Sequence, residues 1–185
     1  MKNTSAYLDH YKKIIENIPC DANIKTQFAK RISEGAITRD ENPSTHLCVY
    51  FAAFDPVNKQ VFIGHHKKAN QWLFNGGHVD LGELPIDTLK RETGEEWGNG
   101  THLQSTYQPE FLTITKINNI LAGKCQLHYD IWYFIPLDMS IFNPDPELTV
   151  KEFYEMGWKS ITTARKLVTD PNNLAALAEI EKHFI

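Results

Sequence analysis

The sequence predicts an α/β fold, a mixed sheet sandwiched by helices and preceded by N-terminal helices. Three observations carry this. Tyr7, Leu8, Tyr11, Ile14, Ile15 and Ile18 recur at helical spacing before Pro19. The segments HLCVYFAAF, QVFIGHH, FLTITKI and LHYDIWYFIPL read as strands. A short amphipathic helix lies between the second and third of these, and helical patterns close the chain. Strands and helices in this order build a sheet covered on both faces.

Each element has its own signal. Ile24, Phe28 and Ile32 predict a second helix ending near Gly35. The polar stretch TRDENPST, Thr38 to Thr45, is the best linker candidate. It divides the chain into a helical extension, residues 1–40, and a main domain, residues 41–185. Asp55, Pro56 and Asn58 make the turn between the first two strands, and NNILAGK, residues 118–124, the turn between the last pair. FYEMGWKSI reads as a final strand anchored by Trp158. Ile161 onward, and then Asn173 to Ile185, read as helices.

Composition narrows the class. A chain of 185 residues with 42% hydrophobic and 23% charged residues is enough for one sizeable core. Its net charge of −4, with no long basic run, gives no reason to expect general binding to nucleic acid. The N-terminal MKNTSAYLDHYKK has no apolar signal core, and no run of about 18 apolar residues occurs, so neither export nor a membrane span is expected. The expected location is the cytoplasm. Cys20, Cys48 and Cys125 are few and widely spaced, which suggests neither a disulfide framework nor a zinc site.

The chemistry concentrates in Gly77 to Asn99, GHVDLGELPIDTLKRETGEEWGN. Ile86, Leu89, Thr93 and Trp97 recur at spacings of three and four, the stripe of a core-packed helix. Pro85 suits its first turn and Gly98 its end. The acidic face is therefore expected to look outward. Glu92, Glu95 and Glu96 gather on it beside Arg91, and like charges so close repel unless a cation or solvent offsets them. Oxygen ligands suit Mg²⁺ or Mn²⁺. Upstream, Gly76 and Gly77 let the backbone turn sharply and approach a ligand, with Glu83 just before the helix.

With these residues in place the chain resembles the Nudix hydrolase family, whose box is GX5EX7REUXEEXGU with U a bulky aliphatic residue. Gly77, Glu83, Arg91, Glu92, Glu95, Glu96 and Gly98 occupy its fixed positions. Thr93 and Asn99 depart from it, and Asn75 replaces a proline common before the two glycines. The resemblance covers about residues 45–170. It implies a Nudix-type α/β/α sandwich and metal-dependent hydrolysis of a diphosphate linkage. It further implies that Glu92, Glu95 and Glu96, with the carbonyl of Gly76, hold Mg²⁺ (or Mn²⁺). Arg91 would orient Glu92, and Gly77 and Glu83 would steady the loop. Glu92 is the first choice for the base that activates water, with Glu110, Glu147, Glu152 and Glu155 as further carboxylates.

A second constellation, HHKKANQW from His65 to Trp72, offers Lys67 and Lys68 to an anionic substrate and Trp72 as an aromatic wall. His78 follows the glycine pair, and His128 and Asp130 share one face of a strand, so all three are candidate substrate contacts. Ile114 stands where ADP-ribose hydrolases of the family carry a proline, which weakens that substrate without excluding it, and a nucleotide or nucleoside diphosphate derivative is the expected substrate class. Two other readings compete with the hydrolase. An isomerase of isopentenyl diphosphate type would need a cysteine and a glutamate at an apolar pocket. A catalytically silent nucleotide-sensing module would use the N-terminal helices as a partner or homodimer surface.

Overall fold

The computed structural model describes residues 4–98, 107–117 and 125–184. Asn99 and the turn expected at 118–124 lie outside them. Two helices come first, α1 (Thr4–Asn17) and α2 (Ala22–Ser33), the second capped by Asp21, whose carboxylate accepts from the Asn23 and Ile24 N–H groups. They are followed by β1 (Thr45–Asp55), β2 (Gln60–His66), β3 (Gln71–Leu73), β4 (Asn75–His78) and α3 (Pro85–Trp97). After the box helix come β5 (Phe111–Lys116), β6 (Leu127–Pro136), α4 (Pro146–Glu152), β7 (Phe153–Ser160), α5 (Ile161–Leu167) and α6 (Pro171–His183).

The sheet runs β3-β2-β1-β6-β5, with β4 added on β1 and β7 on β2. It is mixed because β1 and β6 pair in parallel while the other pairs are antiparallel. The long β1 is the organising strand. One edge pairs with β6 along ten residues, and the other is shared between β4, opposite Cys48 to Phe51, and β2, opposite Phe54 and Asp55. Side chains on a strand alternate between faces. Leu47, Val49, Phe51 and Ala53 pack into one core with Tyr11, Ile15, Phe28 and Ile32 of the first two helices and Leu89 and Trp97 of α3. Ala52 and Phe54 face a second core with Ala164 of α5 and Leu177 and Ile180 of α6. His46, Cys48 and Tyr50 share the parity of that second face.

Several expectations shift. The glycine pair belongs to strand β4 rather than to a loop, because its backbone pairs with Val49 and Tyr50 of β1. Helix α4 and strand β3 are both too short to leave a periodic signal. Helix α6 begins two residues before Asn173, where Asp170 caps it and Pro171 occupies its first turn. The acidic face of α3 does not look outward as a whole: Glu96 is buried and Glu92 turns against β4.

The turn between β1 and β2 is tied by Asp55. Its Oδ1 accepts from the Val57 and Asn58 N–H groups, both at 2.8 Å, and its Oδ2 accepts from Asn58 Nδ2 at 2.8 Å and the Met139 N–H at 3.0 Å. Burial opposes ionisation, but these four donors outweigh it and hold the carboxyl below its ordinary value. Asp55→Ala, which strands the donors, is expected to cost about 2 kcal/mol in urea denaturation. The wild type holds this contribution above the unfolded chain's carboxylate pKa and loses it as pH falls through the lower folded value, an acid-side loss missing from the variant. Gly94 offers the opposite case. Among the described residues a Cβ there, in the helix interior, meets nothing within 4 Å beyond the helix's own backbone, so Gly94→Ala should raise stability by roughly 0.5–1 kcal/mol.

Candidate active site

Arg91 is the centre of the box. Its Nε and Nη2 donate to the two oxygens of Glu83 at 2.8 and 3.1 Å, a fork-to-fork pair. Its Nη1 donates to Glu92 Oε1 at 2.6 Å and reaches Glu95 Oε2 at 3.5 Å. Nη2 also donates to the His78 carbonyl at 2.8 Å, which joins the helix to the end of β4. The Glu83 hydrogen bonds, more than any other influence, lock the guanidinium in its charged form. Burial works against ionisation of Glu83, yet its bonds to Arg91, Thr88 and the Asp80 N–H lower its pKa. Helix α1 supports the same loop, since the hydroxyls of Tyr7 and Tyr11 donate to the Glu83 carbonyl at 2.7 and 2.8 Å.

The three helix carboxylates sit in unlike surroundings. Glu95 is exposed, with 60% of its side chain open to solvent, against 12% for Glu92. The Glu92 carboxylate lies where a Cβ on Gly77 would be, 1.8 Å from the ideal position of that atom, so only glycine leaves room for it. Glu96 is buried and accepts from Asn75 Nδ2 at 2.6 Å. Burial raises the pKa of both Glu92 and Glu96. The charges of Glu95 and Glu152 push each further up, and Glu92 and Glu96 repel one another. Glu152, at the end of α4, thus joins the acidic face from outside the box, beside His66 Nε2 at 3.5 Å. A set of hard oxygen donors, half-buried and mutually repelling, fits a divalent cation such as Mg²⁺ or Mn²⁺. Gly76 lies on β4, one residue before Gly77.

A cavity of about 1040 Å³ opens on the second face of the sheet. Lys68, His78 and His128 line it, together with Tyr50, Lys116 and Asn172, which the sequence did not single out. The other proposed contacts lie elsewhere among the described residues. Lys67 bonds the Val150 carbonyl and sits over the Tyr154 ring. Trp72 stacks on His65 with Lys159 above it. Asp130 is buried and accepts from Thr113 and Thr115 of β5, and burial raises its pKa to about 7. Of the further carboxylates, Glu155 pairs with Lys159 at 2.7 Å, and only Glu152 raises the helix acids.

No family model matches the chain, and no curated protein matches it. Solved structures do. The chain is similar to the dihydroneopterin triphosphate pyrophosphohydrolase of E. coli at 16% identity, covering 72% of this chain and 92% of that one with a TM-score of 0.56. A NUDIX hydrolase from Listeria monocytogenes matches at 21% identity, over 74% and 92% of the two chains, with a TM-score of 0.51. A bifunctional NMN adenylyltransferase/ADP ribose pyrophosphatase from Francisella tularensis, complexed with AMP and a manganese ion, matches at 10% identity and a TM-score of 0.52. That match covers 98% of this chain and 48% of the larger protein. Likeness at such identities is likeness of fold, and the chain has the Nudix fold, a mixed sheet between helices.

Proposed function

We propose that the protein is a metal-dependent hydrolase that cleaves a diphosphate linkage in a nucleotide-type substrate. One observation carries the reading: the Glu92 carboxylate, aimed by Arg91, lies against Gly77, with Glu95 and Glu96 on the same helix and within reach of its charge. The solved structures with this fold include proteins named as a pyrophosphohydrolase and an ADP ribose pyrophosphatase, which supports the reaction class.

Diphosphate linkages resist attack because their oxygens repel a nucleophile. A divalent cation held by Glu92, Glu95, Glu96 and the Gly76 carbonyl would neutralise those oxygens and orient water. The chain's own residues do the rest. Arg91 spends its donors on Glu83, Glu92 and the His78 carbonyl, so Glu92 is aimed without the entropy cost of a free side chain. Glu92 takes the proton from the attacking water, and Glu152 is the second carboxylate near this face. Lys68 and Lys116 give the cavity positive charge for the anionic end of a substrate. Tyr50, stacked on Trp132 at 4.6 Å, offers an aromatic wall. The volume suits a ligand of nucleotide size. Helix α1 props the Glu83 loop, so the N-terminal helices contribute to the site by support.

Product analysis by mass spectrometry across nucleoside triphosphates, nucleotide sugars, ADP-ribose, dinucleotides and capped nucleotides is the direct test. Cleavage of one member with Mg²⁺ or Mn²⁺, abolished by chelator, is expected. Nucleotide binding without turnover would favour a sensing module. Glu95→Gln should lower metal-dependent kcat/KM by about 10–100-fold with the fold intact, and unchanged turnover would remove Glu95 from the metal ligands. Gly77→Ala should displace the Glu92 carboxylate and reduce activity by a similar factor while circular dichroism stays native. Arg91→Lys should do likewise, because an ammonium cannot span Glu83 and Glu92 together.

A further inference from the structure

The second face of the sheet collects a different donor set, away from the helix carboxylates. His46 and Cys48 are two residues apart on β1 and so point to one face. Parallel pairing sets His128 of β6 opposite His46, and antiparallel pairing sets His78 of β4 opposite Cys48. One potential ligand atom from each of these four residues lies within 4.8 Å of every other. Cys125, just before β6, adds a second thiol, its Sγ 3.7 Å from His46 Nε2 and 3.8 Å from His78 Nε2. The three imidazole rings lie 4.9–5.2 Å apart, centre to centre.

Hydrogen bonding accounts for His46 and His78 but leaves His128 without a partner among the described residues. His46 Nδ1 lies 2.9 Å from the Asn42 carbonyl, an acceptor only, so Nδ1 carries the proton and Nε2 turns its lone pair toward the cluster. His128 is 9% exposed, and among the described residues neither of its ring nitrogens has a hydrogen-bond partner. A thiol proton bridges one pair at a time, whereas one cation satisfies several lone pairs together. Burial first, and the neighbouring imidazoles second, push His128 down to about 4 and His78 down to about 3; burial also lowers His46. A tetrahedral zinc site has ligand-to-ligand edges of about 3.3–3.8 Å, so the group needs only small side-chain rotations to close.

We propose that His46, Cys48, His78 and His128 form a site for a transition-metal ion of the zinc class, separate from the carboxylate face of α3. Nitrogen and sulfur donors select such an ion over Mg²⁺, which prefers oxygen. The His46 Nδ1–H to Asn42 carbonyl bond is the support that metal-binding histidines almost always carry. On binding, the Cys48 S–H bond breaks, its proton leaves to solvent, and sulfur bonds the metal as thiolate. Arg39 Nη1, 3.4 Å from His78 Nδ1, turns away when His78 ligates through Nε2 and carries its proton on Nδ1. Cys48, His78 and His128 line the cavity, so the ion occupies its wall and adds a fixed positive charge there. His78 links the two faces, its carbonyl on Arg91 and its ring in the cluster.

The test uses the untagged full-length chain, stripped with chelator and titrated with Co²⁺ and then Zn²⁺. One equivalent of Co²⁺ should bind with tetrahedral visible bands and a thiolate charge-transfer band, be displaced by one equivalent of Zn²⁺, and resist excess Mg²⁺. A Glu92→Gln, Glu95→Gln double variant should keep this spectrum. Cys48→Ser should lose the charge-transfer band, and His128→Gln should weaken Co²⁺ binding by about 10-fold or more, each checked for native circular dichroism. Absence of stoichiometric Co²⁺ uptake by the wild type, ready displacement by Mg²⁺, or loss of the spectrum in the double variant overturns the proposal. A charge-transfer band retained in folded Cys48→Ser overturns the ligand set. Because the wild-type titration reads metal uptake rather than turnover, it stands whether or not the hydrolase reading does.

Discussion

The guanidinium of Arg91 is the constraint on which the candidate site depends. Five donors on one rigid plane reach a loop, a helix and a strand at once: Glu83 before α3, Glu92 on it, and the His78 carbonyl at the end of β4. Each of these acceptors would otherwise meet a neighbour of like sign, since Glu83, Glu92, Glu95 and Asp80 all lie within 3.5 Å of the same cation. The pair with Glu83 is geometrically strict, which makes the arginine a spacer as well as a charge. It sets the distance from helix to strand, and the absence of a Cβ on Gly77 lets the Glu92 carboxylate occupy the gap so defined.

That arrangement shows which parts of the molecule were legible in the sequence. The core strands were, because β1 and β6 carry unbroken apolar runs, and long buried segments leave little choice of structure. Within the box, Glu83, Arg91, Glu92, Glu95 and Glu96 lie on one helix and the loop before it, where spacing translates directly into geometry, whereas Gly77 belongs to β4 and its place follows from strand pairing. The direction of the acidic face was not legible. Periodicity identifies Leu89 and Trp97 as buried, but it assigns charged residues to solvent by default. Glu96 escapes that default because Asn75, on a different element, supplies a hydrogen bond inside the protein. Asn75 looked like a missing proline in a loop; its amide could acquire this role only once β4 was known to pair with β1.

The histidines and cysteines on the other face were illegible for a related reason. Metal-binding spacings recognisable in sequence, such as two cysteines two residues apart, come from ligands on one turn. Here His46 and Cys48 come from β1, His78 from β4 and His128 from β6, so their proximity is a product of strand register alone. A shift of one residue in either pairing would send His78 or His128 to the opposite face. Trp72 and Lys67 show the converse: they are near the box in sequence, yet Trp72 stacks on His65 and Lys67 contacts Tyr154 and Val150 rather than lining the cavity.

Two electrostatic environments thus lie on either side of one short strand. On the α3 side, burial and neighbouring carboxylates raise the pKa of Glu92 and Glu96 beside Arg91; on the cavity side, burial disfavours the charged form of three imidazoles. The first suits a hard cation that keeps part of its water, the second a borderline ion that sheds it. Strand β4 separates them by the thickness of a backbone, with glycine at 76 and 77 because a side chain on either would strike Val49 or Glu92. Charge on one side is therefore felt on the other through few intervening atoms. A substrate lying in the cavity would meet the imidazole wall first, while its diphosphate approached the helix carboxylates past the glycine edge. Gly77, which makes room for Glu92 on one side, pairs with Val49 beside Cys48 and His78 on the strands that carry the other set.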